Sequence, residues 1–164
     1  MTNNFVFEPD MAAKSIHIVR EFNAPVEKVW KAWTDPVLLD KWTGPKPWKA
    51  VTKTWDFTVG GIWLYAMVSP EGQKQWVYAE FTAIENGSAF TSMGVFCDGD
   101  GNPFLDGPKS YKDTKFSSLE GNRSKVDMLI TFEEESTLKM FAEGGFKEGS
   151  AMTLNQLDEL LATE

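Results

Sequence analysis

From Trp48 to Phe132 the chain reads as a series of strand-like runs, most of them followed by a turn signal, with no internal sequence repeat. The runs are Trp48–Thr58, Ile62–Ser69, Gln75–Glu85, Ala89–Cys97, Lys112–Leu119 and Lys125–Phe132. Gly60-Gly61, Pro70-Glu71-Gly72-Gln73, Asn86-Gly87 and Glu120-Gly121-Asn122-Arg123 separate most of them, and Asn-Gly is a strong short-range hairpin signal. Turns this short join antiparallel neighbours. The run Ile62–Ser69 (IWLYAMVS) is apolar on both faces, so this strand should be covered on both sides.

The flanks have other periods. Lys14–Asn23 places Ile16, Ile18 and Phe22 on one face and His17, Val19 and Glu21 on the other, which reads as a further strand. Ala24-Pro25 starts a helix carrying Val26, Val29, Trp30 and Trp33 at helical spacing. Asp35-Pro36 ends it and begins another, with Val37, Leu38, Leu39 and Trp42 as its apolar face, and Gly44-Pro45-Lys46-Pro47 ends that. Ser136 is a candidate N-cap for a short helix over 137–142. Phe146–Ala162 is the longest helix, with Phe146, Ser150, Thr153, Leu154, Leu157, Leu160 and Leu161 on one stripe. We expect residues 1–12 to be a flexible leader and 13–164 a single domain.

The order is strand, two short helices, six strands, long helix. Two short helices cannot cover the inner face of such a sheet, so the C-terminal helix must lie over it. A curved sheet wrapped round a helix leaves space between them, and such a space is the default ligand-site expectation. The fold class expected is α+β, with a curved antiparallel sheet of about seven strands around a long C-terminal helix.

Composition excludes several functions. The formal charge of −8 argues against a nucleic-acid footprint, which would be basic, and against docking on anionic lipid. One cysteine (Cys97) and one histidine (His17) exclude a disulfide framework and multi-histidine or multi-cysteine metal sites. No metal and no cofactor is expected. The N-terminal residues have neither a basic nor an apolar segment of a secretory signal, and no apolar run nears the ~20 residues of a membrane span. A cytoplasmic protein, monomeric or weakly dimeric, is expected.

The residues themselves resemble a known family. Ala24-Pro25-Val26-Glu27-Lys28-Val29-Trp30-Lys31-Ala32-Trp33-Thr34-Asp35-Pro36, then Trp42-Thr43-Gly44-Pro45, is similar to the opening pattern of the activator-of-heat-shock-protein-90-ATPase homologues. Asp56–Gly61 matches the family's Asp-x-x-x-Gly-Gly element, and Gly145-Phe146-Lys147-Glu148-Gly149 its C-terminal Gly-Phe-x-Glu-Gly. The likeness spans about residues 14–162. It implies the START-like helix-grip fold, a scaffold shared by lipid carriers, cyclases, hydrolases and co-chaperone modules, so it does not by itself choose a function. The family often has Trp after the last glycine of the C-terminal helix start, where this chain has Ser150, and a smaller side chain there would enlarge an inward-facing cavity.

Candidate wall residues follow. Trp63, Tyr65 and Met67 alternate on one strand, and by the family's pattern this face turns toward the long helix. Rigid aromatics beside a thioether suit a flat apolar ligand, and equally a packed core. Tyr78, Phe90, Phe146, Gly149, Ser150, Thr153 and Leu157 complete the expected wall, while Trp30, Trp33 and Trp42 are expected to pack the short helices on the sheet. Glu80 and Thr82 point inward only if Val77, Ala79 and Phe81 point out, since one residue of slip exchanges the faces. The family's apolar residue at Phe81 favours solvated Glu80 and Thr82. Asp98-Gly99-Asp100-Gly101-Asn102 opens like a calcium loop, but its sixth and twelfth positions hold Pro103 and Lys109 instead of Gly and Glu, so a turn-rich loop is expected. The segment Asp98–Lys109 could form a lid at a pocket mouth.

Three functional classes remain open from sequence. The leading one is non-catalytic binding of a small hydrophobic or amphipathic molecule between sheet and helix. The second is an interaction module, chaperone-linked, using its outer surface. The third is a small cyclase- or hydrolase-like enzyme, which needs a polar group with a perturbed pKa inside the cavity. No catalytic residue is assigned.

Overall fold

The computed structural model describes residues 4–104 and 107–163. Its strands are β1 (Phe5–Asp10), β2 (Ser15–Phe22), β3 (Lys49–Trp55), β4 (Ile62–Val68), β5 (Lys74–Glu85), β6 (Ala89–Cys97), β7 (Lys109–Leu119) and β8 (Arg123–Phe132). They form one antiparallel sheet in the order β1-β2-β8-β7-β6-β5-β4-β3. The helices are α1 (Val26–Thr34), α2 (Pro36–Trp42), α3 (Glu135–Glu143) and α4 (Phe146–Thr163). This is the helix-grip arrangement expected, with eight strands instead of about seven.

The additional strand corrects the expectation of a flexible leader. Residues Phe5–Asp10 pair with β2 from Phe5↔Arg20 to Asp10↔Ser15. Their sequence hides the strand because it is short, carries Pro9, and ends in Glu8 and Asp10, the composition of a protected sheet edge. Phe7 gives it an anchor, packing edge-on against Phe146 of α4 at 6.0 Å between ring centres. The first three residues of that leader lie outside the described residues. A smaller correction concerns α3. Glu134, not Ser136, stands at its N-cap, and the Ser136 hydroxyl donates to the Glu134 carboxylate at 3.3 Å instead of capping the helix.

Cross-strand pairing fixes which side chains face the helices. Ile16 lies opposite Ile130 and Ile18 opposite Met128, and both rows are buried. They meet Val29, Ala32 and Trp33 of α1, Leu39 of α2, and Leu154, Leu157 and Leu161 of α4 in one core. A polar clamp sets where α4 lies. Arg20 on β2 is buried, and its guanidinium donates to Asn155 Oδ1 at 2.8 Å and to Asp158 Oδ2 at 3.4 Å. Gln156 on the same helix donates Nε2 to the carbonyls of Trp42 and Gly44, both at 2.9 Å, and accepts from the Lys46 amide. Lys28 Nζ donates to the carbonyl of Leu161 at 2.7 Å. So α4 is held over β2 and the two short helices, at one side of the sheet.

The opposite, convex face of β4 is covered by a loop. Residues 98–104 fold back so that Gly101 lies against Leu64 and the Gly99 carbonyl accepts from Lys53 Nζ at 2.6 Å. Cys97 bridges to Pro103, and Leu64, Ala66 and Cys97 are buried beneath this segment. The Asp98 carboxylate accepts from the amides of Asp100 and Asn102 and from Asn102 Nδ2, which builds the turn and holds the carboxyl below its usual range. These residues therefore sit on the far side of the sheet from the helices. Leu105 and Asp106 of the same segment lie outside the described residues. The strand that is apolar on both faces is covered on both, from different parts of the chain.

Removing the clamp should loosen α4. Arg20→Ala removes the guanidinium that Asn155 and Asp158 share and is expected to cost about 2–3 kcal/mol, measured as a lower denaturant midpoint at unchanged slope.

Candidate functional site

Because α4 occupies only one side, the concave face of β4–β7 is left under a cavity of about 360 Å³. Its floor follows from the register. Trp63 on β4 lies opposite Ala79 on β5, Ala79 opposite Gly94 on β6, and Gly94 opposite Ser110 on β7. Two of these side chains are minimal, so the middle of the floor is hollow. The next row out is Tyr65, Val77 and Phe96, and the row nearer α1 is Phe81, Ser92, Lys112 and Ile130.

Aromatic rings close the end near α1. Phe81, Phe57 and Phe90 pack edge-on at 4.9–5.9 Å, and Trp30 reaches Phe90 at 6.0 Å and Phe116 at 5.0 Å. Trp33 adds an edge contact to Phe116 at 5.3 Å and lines the cavity, besides packing on Trp42 at 4.6 Å. Phe141 of α3 and Phe146 of α4, 5.4 Å apart, close another side. The turn from β3 to β4 admits no other residue at Gly61, where a Cβ would strike the Asp56 carbonyl, and it locks to β5 through Gly60 N–H to the Phe81 carbonyl at 2.7 Å.

The β4 wall is rigid for a traceable reason. Asp40 of α2 accepts both the amide (3.1 Å) and the hydroxyl (2.6 Å) of Thr52. The Thr52 oxygen in turn accepts the indole N–H of Trp63 at 3.0 Å. Tyr65 stacks on that indole with 4.0 Å between ring centres and 21° between planes. Burial without a compensating charge pushes the Tyr65 phenol up to about 12, so it is a neutral hydroxyl across ordinary pH.

One charged residue lies inside. Lys112 of β7 lines the cavity, half-buried, with Ser92 opposite and Ser110 and Thr114 two residues away on the same face. Among the described residues it has no ion-pair or hydrogen-bond partner, and desolvation lowers its pKa below that of a free lysine. Thr114 also lines the cavity, is fully buried, and its Oγ1 has no hydrogen-bond partner among the described residues. No cluster of metal-ligating side chains occurs among the described residues.

Of the wall residues expected from sequence, Trp63, Tyr65, Met67, Phe90 and Phe146 line this cavity. Tyr78 does not. It lies on the convex face opposite Leu64 and Val95, with its hydroxyl 3.4 Å from Glu80, because Val77, Ala79 and Phe81 are the inward set. Gly149, Ser150, Thr153 and Leu157 are also absent from the lining. Leu157 is fully buried in the core beside α1 and α2, and the Thr153 hydroxyl turns back to the Ser150 carbonyl at 3.1 Å. The enlargement expected from a small residue at Ser150 therefore does not arise at that position. The hollow comes from Ala79 and Gly94 instead.

Lys112 was not among the expected residues. The segment Lys109–Leu119 (KSYKDTKFSSL) has too few apolar residues to show its parity. The available signal was Phe116: counting back from it in twos places Thr114, Lys112 and Ser110 on the core face.

Fold and cavity together define a START-like helix-grip protein. Residues 23–162 match the family described as activator of Hsp90 ATPase homolog 1-like protein, and the chain belongs to it. A protein from Arthrobacter aurescens with a solution structure is 35% identical, superimposes with a TM-score of 0.88, and the match covers 97% of this chain and 92% of that one. Protein Ms6760 from Mycobacterium smegmatis is 30% identical with a TM-score of 0.87, over 98% and 97% of the two chains. A Staphylococcus epidermidis protein follows at 25% identity and 0.85, over 96% and 94%. No curated protein matches the chain. No helix among the described residues is long and apolar enough to cross a membrane.

Two consequences can be measured. Thr52→Val removes the link between Asp40 and the Trp63 indole and should cost about 1 kcal/mol, with a changed near-ultraviolet circular dichroism signal from the loosened tryptophan. Lys112→Met should raise stability, because it removes an ammonium that is desolvated with no counter-charge among the described residues. The folded-state pKa of Lys112 lies below its unfolded value of 10.5, so between the two the unfolded chain binds more protons and wild-type stability rises with pH. The advantage of Lys112→Met should thus be largest below the folded-state pKa and disappear above about pH 10.5, as denaturant titrations across pH will show.

Proposed function

We propose that the protein binds a small hydrophobic or amphipathic molecule in the cavity between β4–β7 and the helices, without chemical change to it. The observation that carries this reading is the hollow floor at Ala79 and Gly94 beneath walls held rigid by the Asp40–Thr52–Trp63 link. A volume of about 360 Å³ lies at the lower end of the range for small-molecule sites, about 300–1,000 Å³. A mostly apolar lining with a few polar groups supplies burial for the ligand's body and orientation for its head.

The interaction-module reading would draw support from a contiguous apolar surface. The exposed large apolar side chains lie on α2, β3, β7, β8, α3 and α4 and, at Met11, Val59 and Phe104, on three connections. The hollow floor and its rigid walls support the cavity reading.

Amide NMR titration of the labelled protein with fatty acids, flavonoids and sterols tests the reading. Shifts are expected on β4, on the facing positions of β5–β7, and around Phe141 and Phe146. Ala79→Leu extends a side chain into the hollow; uptake should be lost while stability stays within about 1–3 kcal/mol of wild type, the usual range for added core volume. Unchanged uptake by that variant would place the ligand elsewhere.

A further inference from the structure

The cavity has a chemical polarity that narrows what fits it. Its β4 side is formed by Trp63, Tyr65 and Met67, and its β7 side by Ser110, Lys112 and Thr114, with Ser92 facing Lys112 from β6. Neighbouring strands lie about 4.8 Å apart, so the two sides are separated by roughly three strand spacings across Ala79 and Gly94. A ring or short chain laid across those two small residues puts its body against the stacked indole and phenol and its end beside the lysine.

Two observations on the β7 side point to a partner for that end. Lys112 is half-buried in the cavity wall and desolvated there, with no counter-charge among the described residues. Thr114 Oγ1 is fully enclosed and unbonded, and buried hydroxyls normally have a partner. The two sit at i and i+2 on one strand face. One group with two acceptor oxygens and a single negative charge would meet both the ammonium and the hydroxyl. Phosphate monoesters fit less well: their second charge would lie unpaired in a lining that holds one cation.

We propose that the cavity selects a monocarboxylate with an aromatic or short aliphatic body, its carboxylate paired with Lys112 and hydrogen-bonded by Thr114. This rests on the cavity being a ligand site, as argued above. Among the described residues, Tyr65 and Lys112 are the titratable side chains that line it, and Tyr65, at about 12, stays neutral, so a fall in carboxylate binding with rising pH below about 10 points to Lys112.

Calorimetry with two matched pairs provides the test: naphthalene-2-carboxylate against its primary amide, and decanoate against its primary amide. At pH 7 the carboxylate of at least one pair should bind about tenfold or more tighter than its amide, the scale of one charge-assisted hydrogen bond. Lys112→Met should remove that preference, bringing acid and amide to within about twofold of each other. In the wild-type protein, carboxylate affinity should fall as pH rises through the lysine's lowered range while amide affinity holds, a readout that needs no variant. Equal binding of acid and amide by the wild type, or a preference that survives Lys112→Met, overturns the proposal and leaves the cavity reading intact. Failure of all four compounds to bind at millimolar concentration overturns both.

Discussion

The position of α4 is the constraint on which the rest of the concave side depends. An eight-stranded sheet offers far more inner surface than one helix can cover. The Arg20 guanidinium, reaching Asn155 and Asp158, and the Gln156 amide, reaching the end of α2, commit the helix to the β2 side. Removing a buried guanidinium from water costs free energy, and its pKa is held down by that desolvation against the raising influence of Asp158. The arrangement persists because several acceptors meet it at once. With the helix fixed there, β4–β7 must either be filled by their own side chains or be left hollow, and Ala79 and Gly94 leave them hollow.

The hollow stays open because its walls cannot slump into it. Edge-to-face aromatic packing from Trp30 through Phe90 to Phe81 sets one end, and each such pair resists sliding through its directional ring electrostatics. The Asp40–Thr52–Trp63 chain joins α2 to the sheet's far edge, so the short helices position the cavity wall as well as covering the core. On the convex side the segment 98–104 presses on Leu64 and shields β4 from water. A strand buried on both faces is a stiff support for the aromatic pair on it.

Polarity within the cavity has a different origin from its shape. Aromatic walls arise from residues that any core would accept, and they alone leave open whether the space is filled or empty. Ser110, Lys112 and Thr114 are not residues a core would choose, and a lone lysine there costs stability. Together they distinguish the β7 side chemically from the β4 side. That difference is the ground on which a ligand with two unlike ends is proposed.

The sequence by itself determined the period-two runs, the hairpin signals, the two short helices and the leucine stripe of α4, because local periodicity and turn chemistry are written in consecutive residues. The inward face of β4 was indicated by the family resemblance alone, since Ile62–Ser69 is apolar on both faces and its periodicity does not choose between them. The tertiary structure decided what local pattern leaves open. It recruited Phe5–Asp10 as an edge strand, through pairing with residues five to fifteen positions away and a ring contact to α4. It turned Tyr78 outward, because apolar residues occupy both parities around it and the pairing with β4 settles the choice. It placed Lys112 inside, because a nearly all-polar strand takes its parity from its neighbours, Ser92 and Ile130. It withdrew Gly149, Ser150 and Thr153 from the cavity wall, because the rotation and offset of a helix over a sheet are set by distant polar anchors, here Arg20 and the backbone that ends α2.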